Sequence, residues 1–289
     1  MQLTKAERRQ AKIKLAFQGP SGSGKTYSAL LMAYGLCGSW GKIAIVDTEN
    51  GSSNLYAHLG AYNVISIAAP YSPEKFISAI NLAESSGMEV VVIDSISHEW
   101  EGQGGILDLH GSMAGNSFTN WSKMTPRHNA FVQCMLGSSC HIIGTIRSKQ
   151  DYVLTEKNGK HVPEKVGMKG ITRDGMDYEF TVVLDLDIKH NATASKDRTG
   201  LFMDKPFFVV NEDTGIKVRE WCESGSSLDD VINQIEAAQS IETLKEIYYK
   251  YPEYRSKIEL LLKEQKRSLE AEAALNDVSL KPSENGVYH

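Results

Sequence analysis

The sequence predicts an α/β fold organised around a mainly parallel sheet, and three observations carry that expectation. Short apolar runs, "IKLAF" (13–17), "KIAIVD" (42–47), "NVISIA" (63–68), "EVVVID" (89–94) and "HIIGTI" (141–146), have the near-continuous hydrophobicity of strands buried on both faces. Segments of helical spacing alternate with them, as crossover connections between parallel strands require. A glycine-rich octapeptide, "GPSGSGKT" (19–26), joins the first strand to the first helix.

Taken in order, residues 4–11 read as a short polar helix ahead of the first strand. The helix expected over 24–37 sets Ala29, Leu30, Ala33, Leu36 and Cys37 on one face. "SPEKFISAINLAESSG" has Ser72 to cap a helix, Pro73 in its first turn and Gly87 at its end. After an irregular, glycine-containing stretch, residues 117–138 look helical. Lys149 to Asp177 is polar and glycine-punctuated, which suggests a mobile loop or hairpin region. "EFTVVLDLDI" (179–188) and "KPFFVVN" (205–211) return to strand character, and from Ser227 onward the period becomes helical. The expected organisation is an N-terminal helix (1–11), a core (12–222), a helical region (223–275) and a polar, disordered tail (276–289), with no internal repeat.

Composition narrows the class. The chain has 289 residues, 41% hydrophobic and 23% charged, enough for one large core plus an appendage. It has no apolar run near the length of a membrane span, and the opening "MQLTKAERRQAKIKLAF" lacks an apolar signal core, so a cytoplasmic location without membrane contact is expected. Cys37, Cys134, Cys140 and Cys222 form no CxxC pair and read as reduced thiols. With a formal net charge of −5, a polyanionic partner would have to be met by a local basic surface.

"GPSGSGKT" satisfies GxxxxGK[ST] and sits between a strand and a helix, where its chemistry needs it. Backbone N–H groups of Gly19, Pro20 onward through Ser21, Gly22, Ser23 and Gly24 would turn around phosphates (proline itself donating none), and the helix N-terminus adds partial positive charge. Lys25 would reach the β- and γ-phosphates, and Thr26 would offer its hydroxyl to Mg²⁺. The third glycine of a dinucleotide fingerprint is missing. Asp94, closing the apolar strand "VVVID", is the second Mg²⁺-associated group, so ATP and Mg²⁺ are the expected ligands. Glu49 follows the second strand in "IVDTENGSSNLYA", either as a turn former or as a carboxylate aimed at water. Tyr56, seven residues later, is an aromatic able to lie against a base.

At these motifs the sequence resembles the RecA-like recombinase ATPases, in "GPSGSGKT", "IVDTENGSSNLYA", "VVVIDSIS" and "HIIGTIRSK". The similarity covers residues 12 to about 220, and it is greatest to phage-encoded ATP-binding proteins of single-strand annealing and recombination, which share the style of "DSISHEWEG". It implies a RecA-like P-loop NTPase core with a C-terminal helical appendage. It also implies that Glu49 activates the hydrolytic water, Tyr56 stacks on adenine and Asp94 attends Mg²⁺. Thr145 stands where these recombinases usually carry a glutamine that senses the γ-phosphate, so sensing by a shorter hydroxyl is expected. Lys196 and Arg198 in "SKDRTG" match the basic pair that reaches a neighbouring subunit's ATP, though they also read as a solvated loop before a strand.

The resemblance makes single-stranded DNA the expected partner, with self-assembly into a ring or filament and a single-strand-binding protein as a further partner in the bacterial host cytoplasm. Arg147, Lys149, Lys165, Lys169 and Arg173, and separately Trp121, Lys123 and Arg127, are the candidate DNA contacts, with ordinary charged loops and a core tryptophan as the alternative. "SHEWEGQGGILDLH" is not a zinc HExxH motif, because Gly102 stands at the second histidine position. The expected activity is ATP hydrolysis on single-stranded DNA. The alternative is a nucleotide-gated loader or scaffold for a replication partner.

Overall fold

The computed structural model describes residues 12–157, 160–223 and 228–279; the helix expected over 4–11 and the last ten residues of the expected tail lie outside the described residues. The chain divides into two units, residues 12–221 on the one hand and residues 1–11 with 222–289 on the other. No helix among the described residues is long and apolar enough to cross a membrane.

The larger unit is a mixed α/β domain with a mostly parallel central sheet. Its parallel strands are β1 (Lys14–Gly19), β2 (Ile43–Asp47), β3 (Asn63–Ser66), β4 (Val90–Asp94), β5 (His141–Lys157) and β7 (Val182–Leu186). The antiparallel ones are β6 (Lys160–Gly170), β8 (Asn191–Asp197) and β9 (Phe208–Val209). They lie in the order β3-β2-β4-β5-β1-β7-β8-β9, with β6 paired to β5. All five residues of β2 and all five of β4 are buried, as their unbroken hydrophobicity requires. The strand β5 separates β1 from β4, and the carboxyl ends of β1, β2, β4 and β5 meet one edge of the sheet.

Helices α1 (Lys25–Cys37), α2 (Pro73–Ser85) and α5 (Ser117–Gly137) bury their apolar stripes on this sheet. Phe76 and Ile80 of α2 join Phe131 and Met135 of α5 over Val46, Ile93 and Ile142, the two phenyl rings 5.5 Å apart. Burial of each such ring contributes roughly 1.5–3 kcal/mol. Asn116 starts α5, its Oδ1 accepting from the N–H of Phe118 at 2.8 Å.

Three details depart from the sequence expectation. The stretch after Gly102 is not irregular throughout: α3 (Ser97–Glu101) and α4 (Ile106–Ser112) bracket it. The polar region after Lys149 is, of the two forms expected for it, the hairpin, since β5 runs on to Lys157 and pairs with β6 from Ser148↔Gly170 to Lys157↔Lys160. "NATASKD" forms β8 although it is polar, because its ladder to β7 needs no apolar side chains. Residues 212–223 form a helix, α6, hidden from propensity by Gly215. That glycine is needed for close approach: a Cβ on Gly35 of α1 would stand 2.7 Å from the Cα of Gly215 and 2.1 Å from the Glu212 carbonyl oxygen.

In the second unit α7 (Leu228–Glu236), α8 (Ile241–Lys250) and α9 (Arg255–Ser279) bury Val231, Ile235, Leu244, Ile247, Tyr251 and Ile258 together. Ser240 caps α8 by accepting from the Thr243 N–H at 3.1 Å. The helix α9 extends to Ser279, past the boundary expected at 275.

Candidate active site

The residues of "GPSGSGKT" form a turn between the end of β1 and the start of α1. Gly22 and Gly24 have φ of 79° and 84°, a left-handed conformation that a side chain would strain, so the loop curls without one. Lys25 Nζ donates to the carbonyls of Gly19 (2.9 Å) and Pro20 (2.8 Å), which holds the cation over the loop. Burial pushes its pKa down, while Asp94 and Glu49 oppose that and Arg147 reinforces it. The buried Ser23 hydroxyl has no hydrogen-bond partner among the described residues.

Asp94 ends β4 beside this loop. Thr26 Oγ1 donates to its Oδ2 at 2.7 Å, and Thr145 Oγ1, from β5, donates to its Oδ1 at 2.5 Å. The carboxyl is 2% exposed, and burial raises its pKa against those two hydrogen bonds. The fit to Mg²⁺ and a triphosphate is good on three counts. A hydroxyl and a carboxylate already adjoin at the helix start, two buried serine hydroxyls, Ser23 and Ser95, have no hydrogen-bond partner among the described residues, and Gly22 faces open space at the crest of the loop. Thr26 and Asp94 would hold the metal, which supplies charge neutralisation to the phosphates.

Glu49 is carried by a turn that Asp47 organises. Asp47 is buried at the end of β2; its Oδ1 accepts from the N–H of Glu49 (2.7 Å) and Gly51 (3.3 Å), and its Oδ2 from the N–H (2.9 Å) and hydroxyl (2.5 Å) of Ser53. The Glu49 carboxylate faces the cleft, near enough for its charge to act on Lys25, Asp94 and His98. There it meets Arg147 in a two-pronged ion pair, Nε to Oε1 at 2.9 Å and Nη2 to Oε2.

A second layer braces these groups. The Thr48 hydroxyl lies 3.0 Å from the Asp94 carbonyl, accepts from the Ser95 N–H at 2.8 Å, and lies 2.6 Å from His98 Nδ1. Tyr71 stacks on His98 at 4.7 Å and donates its hydroxyl to the Thr48 carbonyl at 3.2 Å. Burial and Arg147 lower the His98 pKa. Glu99, fully buried, accepts from or pairs with His128 at 3.1 Å through both oxygens. Sequence reading had no route to Asp47 and Thr48 as organisers; the only signal was a run of polar residues at a strand end.

Tyr56, half-buried, lies in a 3₁₀ turn, its ring 5.9 Å from that of Tyr27, the residue after Thr26. Lys196 and Arg198 are away from this edge. Lys196 is in β8 opposite Val183, and Val183 of β7 registers with Ala16, roughly 10 Å along β1 from Gly19 at about 3.3 Å per residue. Lys196 Nζ donates to the carbonyls of Asp177 (2.8 Å) and Tyr178 (2.6 Å), and Arg198 Nη2 to that of Tyr178 (3.3 Å).

Of the candidate DNA contacts, Arg147 belongs to the site just described, because its guanidinium turns inward to Glu49. Arg127 forms a fork with Glu74 at 2.7 and 2.8 Å, and Trp121 stacks between His110 and Trp100 rather than standing free. Arg173 donates to Asn129 Oδ1 at 3.3 Å, and Lys169 pairs with Asp174 at 2.7 Å. Lys123 and Lys149 are exposed. The Lys165 side chain lies outside the described residues.

Comparison with curated proteins finds no match. A family model described as an AAA domain matches residues 11–215, the stretch that supplies every strand of the sheet and every residue of the phosphate loop. That family is of P-loop NTPase type, generally uses ATP and Mg²⁺, and carries nucleotide binding and ATPase activity. With the match spanning most of its length, the chain belongs to the AAA domain family.

Proposed function

We propose that this chain is a RecA-like ATPase that hydrolyses Mg²⁺-ATP on single-stranded DNA, within a phage-type recombination or annealing pathway. The observation that carries the reading is the convergence of Lys25, Thr26, Asp94, Thr145 and Glu49 on one edge of a sheet in which β5 separates the strands of the phosphate loop and of Asp94. In this reading Lys25 holds the terminal phosphates and Glu49 accepts a proton from water. The water oxygen bonds to the terminal phosphorus as the bond to the bridging oxygen breaks, and ADP and phosphate leave. Thr145, touching Asp94, senses the terminal phosphate. Tyr56, near the start of α1, supports the base.

The position of Lys196 and Arg198 supports a role toward a second subunit, since Lys196 lies in β8 and Arg198 just past its end, away from their own phosphate loop. Oligomerisation into a ring or filament would bring them to a neighbour's nucleotide and would align Lys149, Lys169 and Arg173 along the DNA. A single-strand-binding protein is a compatible partner for the same strand.

The second reading, a nucleotide-gated loader or scaffold with little turnover, is favoured by one observation: Glu49 is engaged by Arg147. Phosphate release measured with and without single-stranded DNA separates the two. Stimulation by DNA, with ATP-dependent assembly seen by native mass spectrometry, is expected of the first reading. Nucleotide binding without turnover, with or without DNA, would leave only the second.

A further inference from the structure

Arg147 stands between the phosphate loop and the Glu49 carboxylate. Its backbone lies beside the phosphate loop, because β5 runs parallel to β1 with Arg147 in register with Gly19. Its N–H is fixed by the Ser97 hydroxyl at 2.9 Å. Its side chain reaches the other way, over the end of β4, to fork the Glu49 carboxylate. The cleft thus holds Lys25 and Arg147 against Asp94 and Glu49, two cations to two anions.

From this geometry we infer that Arg147 is a triphosphate-reading residue that exchanges Glu49 for the terminal phosphate. The inference rests on the ATPase reading for its ligand and adds a residue role to the same site. A triphosphate bound with one divalent cation brings about two net negative charges into a cleft that already holds the Asp94 and Glu49 carboxylates. Lys25 is already shared between the loop carbonyls of Gly19 and Pro20, so Arg147, whose charge acts on Lys25, is the second cation that can move to meet the added charge. The fork to Glu49 is not locked by burial: the two side chains are 40% and 26% exposed, so water can attend the exchange. Arginine suits the task because its planar fork matches carboxylate and phosphoryl oxygens alike. The exchange has a consequence for chemistry. While Arg147 holds both oxygens of Glu49, neither oxygen is free to take a proton from water; once released, the carboxylate is available to water. A diphosphate leaves the terminal position without phosphate oxygens and so leaves Glu49 forked.

The test is calorimetric titration of the full chain with Mg²⁺-ADP and with Mg²⁺-AMP-PNP, a triphosphate that is not turned over. Arg147→Met is expected to weaken AMP-PNP about tenfold more than it weakens ADP, with Arg147→Lys intermediate because it keeps charge and loses the fork. Glu49→Gln is expected to tighten AMP-PNP in the parent chain and to do so much less in the Arg147→Met background, since no exchange is left to relieve. An unchanged ratio of the two affinities in Arg147→Met and Arg147→Lys overturns the inference, and so do equal increments from Glu49→Gln in both backgrounds. Because the readout is binding, a chain that binds both nucleotides without turnover sinks the hydrolysis reading and leaves the exchange intact. A parent chain that binds neither nucleotide sinks both.

Discussion

Thr26 and Asp94 are 68 residues apart in the chain and hydrogen-bonded at 2.7 Å, a hydroxyl at the start of α1 meeting the carboxylate at the end of β4. The second oxygen of the same carboxylate accepts from Thr145 on β5, so three elements of the sheet and its first helix close on one side chain. That closure is what an oxygen-preferring divalent ion needs, and it is made from groups that are otherwise costly to bury.

Asp94 is consequently a residue at which stability and function oppose one another. Burial disfavours its charged form, and no cationic side chain is hydrogen-bonded to it among the contacts described. Asp94→Asn keeps the shape and both threonine partners while removing the charge. The variant is expected to melt about 2–4 °C higher than the parent, corresponding to about 1 kcal/mol, and to lose the Mg²⁺ dependence of nucleotide affinity. A lower melting temperature would contradict the desolvation argument.

Glu49 is the group on which turnover depends in the proposed mechanism. Glu49→Gln preserves volume and hydrogen bonding but cannot accept the proton, so phosphate release is expected to fall by about 10²–10⁴ with nucleotide binding retained. Turnover at the parent rate would remove Glu49 from the catalytic role.

The buried pair Glu99–His128 permits a cleaner energetic test. Removing only the histidine, as in His128→Phe, leaves a fully buried carboxylate unpaired and is expected to cost about 3–5 kcal/mol in urea unfolding. The double variant His128→Phe with Glu99→Leu is expected to be the more stable of the two, because the stranded charge is gone. If the double variant is the less stable, the pair is favourable in itself.

At the opposite edge of the sheet His141 sets a pH dependence. Its Nδ1 accepts from the Ile13 N–H at 3.1 Å, and burial, with Lys12 and Lys14 nearby, lowers its pKa from 6.5 to about 4. The unfolded chain therefore binds a proton that the folded chain refuses. The contribution is fully present above pH 6.5 and is lost as pH falls toward about 4, an effect on the order of 3 kcal/mol. His141→Asn, which keeps an acceptor for Ile13, is expected to flatten the unfolding free energy over that window. An unaltered slope would assign the effect to other groups.

How much of this was legible in the chain differs from element to element. The strands that carry the site were legible because burial on both faces leaves an unbroken apolar signature, and "GPSGSGKT" declared its ligand because a phosphate loop is built from consecutive residues. The second helix, too, was framed by local signals, with Ser72 before it and Pro73 in its first turn. The helix α6 was not, because Gly215 lowers local propensity for the sake of a close approach to Gly35 that only the folded chain contains.

The same division holds at the active edge. By itself the sequence determined which residue types the site has, a lysine and a threonine at the start of the first helix and two carboxylates at or just past the ends of apolar strands, because those ends are fixed by local hydrophobic pattern. Only the tertiary structure decided how they are joined: that Arg147, 98 residues from Glu49, forks its carboxylate, and that Thr145 turns its hydroxyl to Asp94. Strand order decides those pairs, and strand order is set by long-range packing that no run of neighbouring residues encodes.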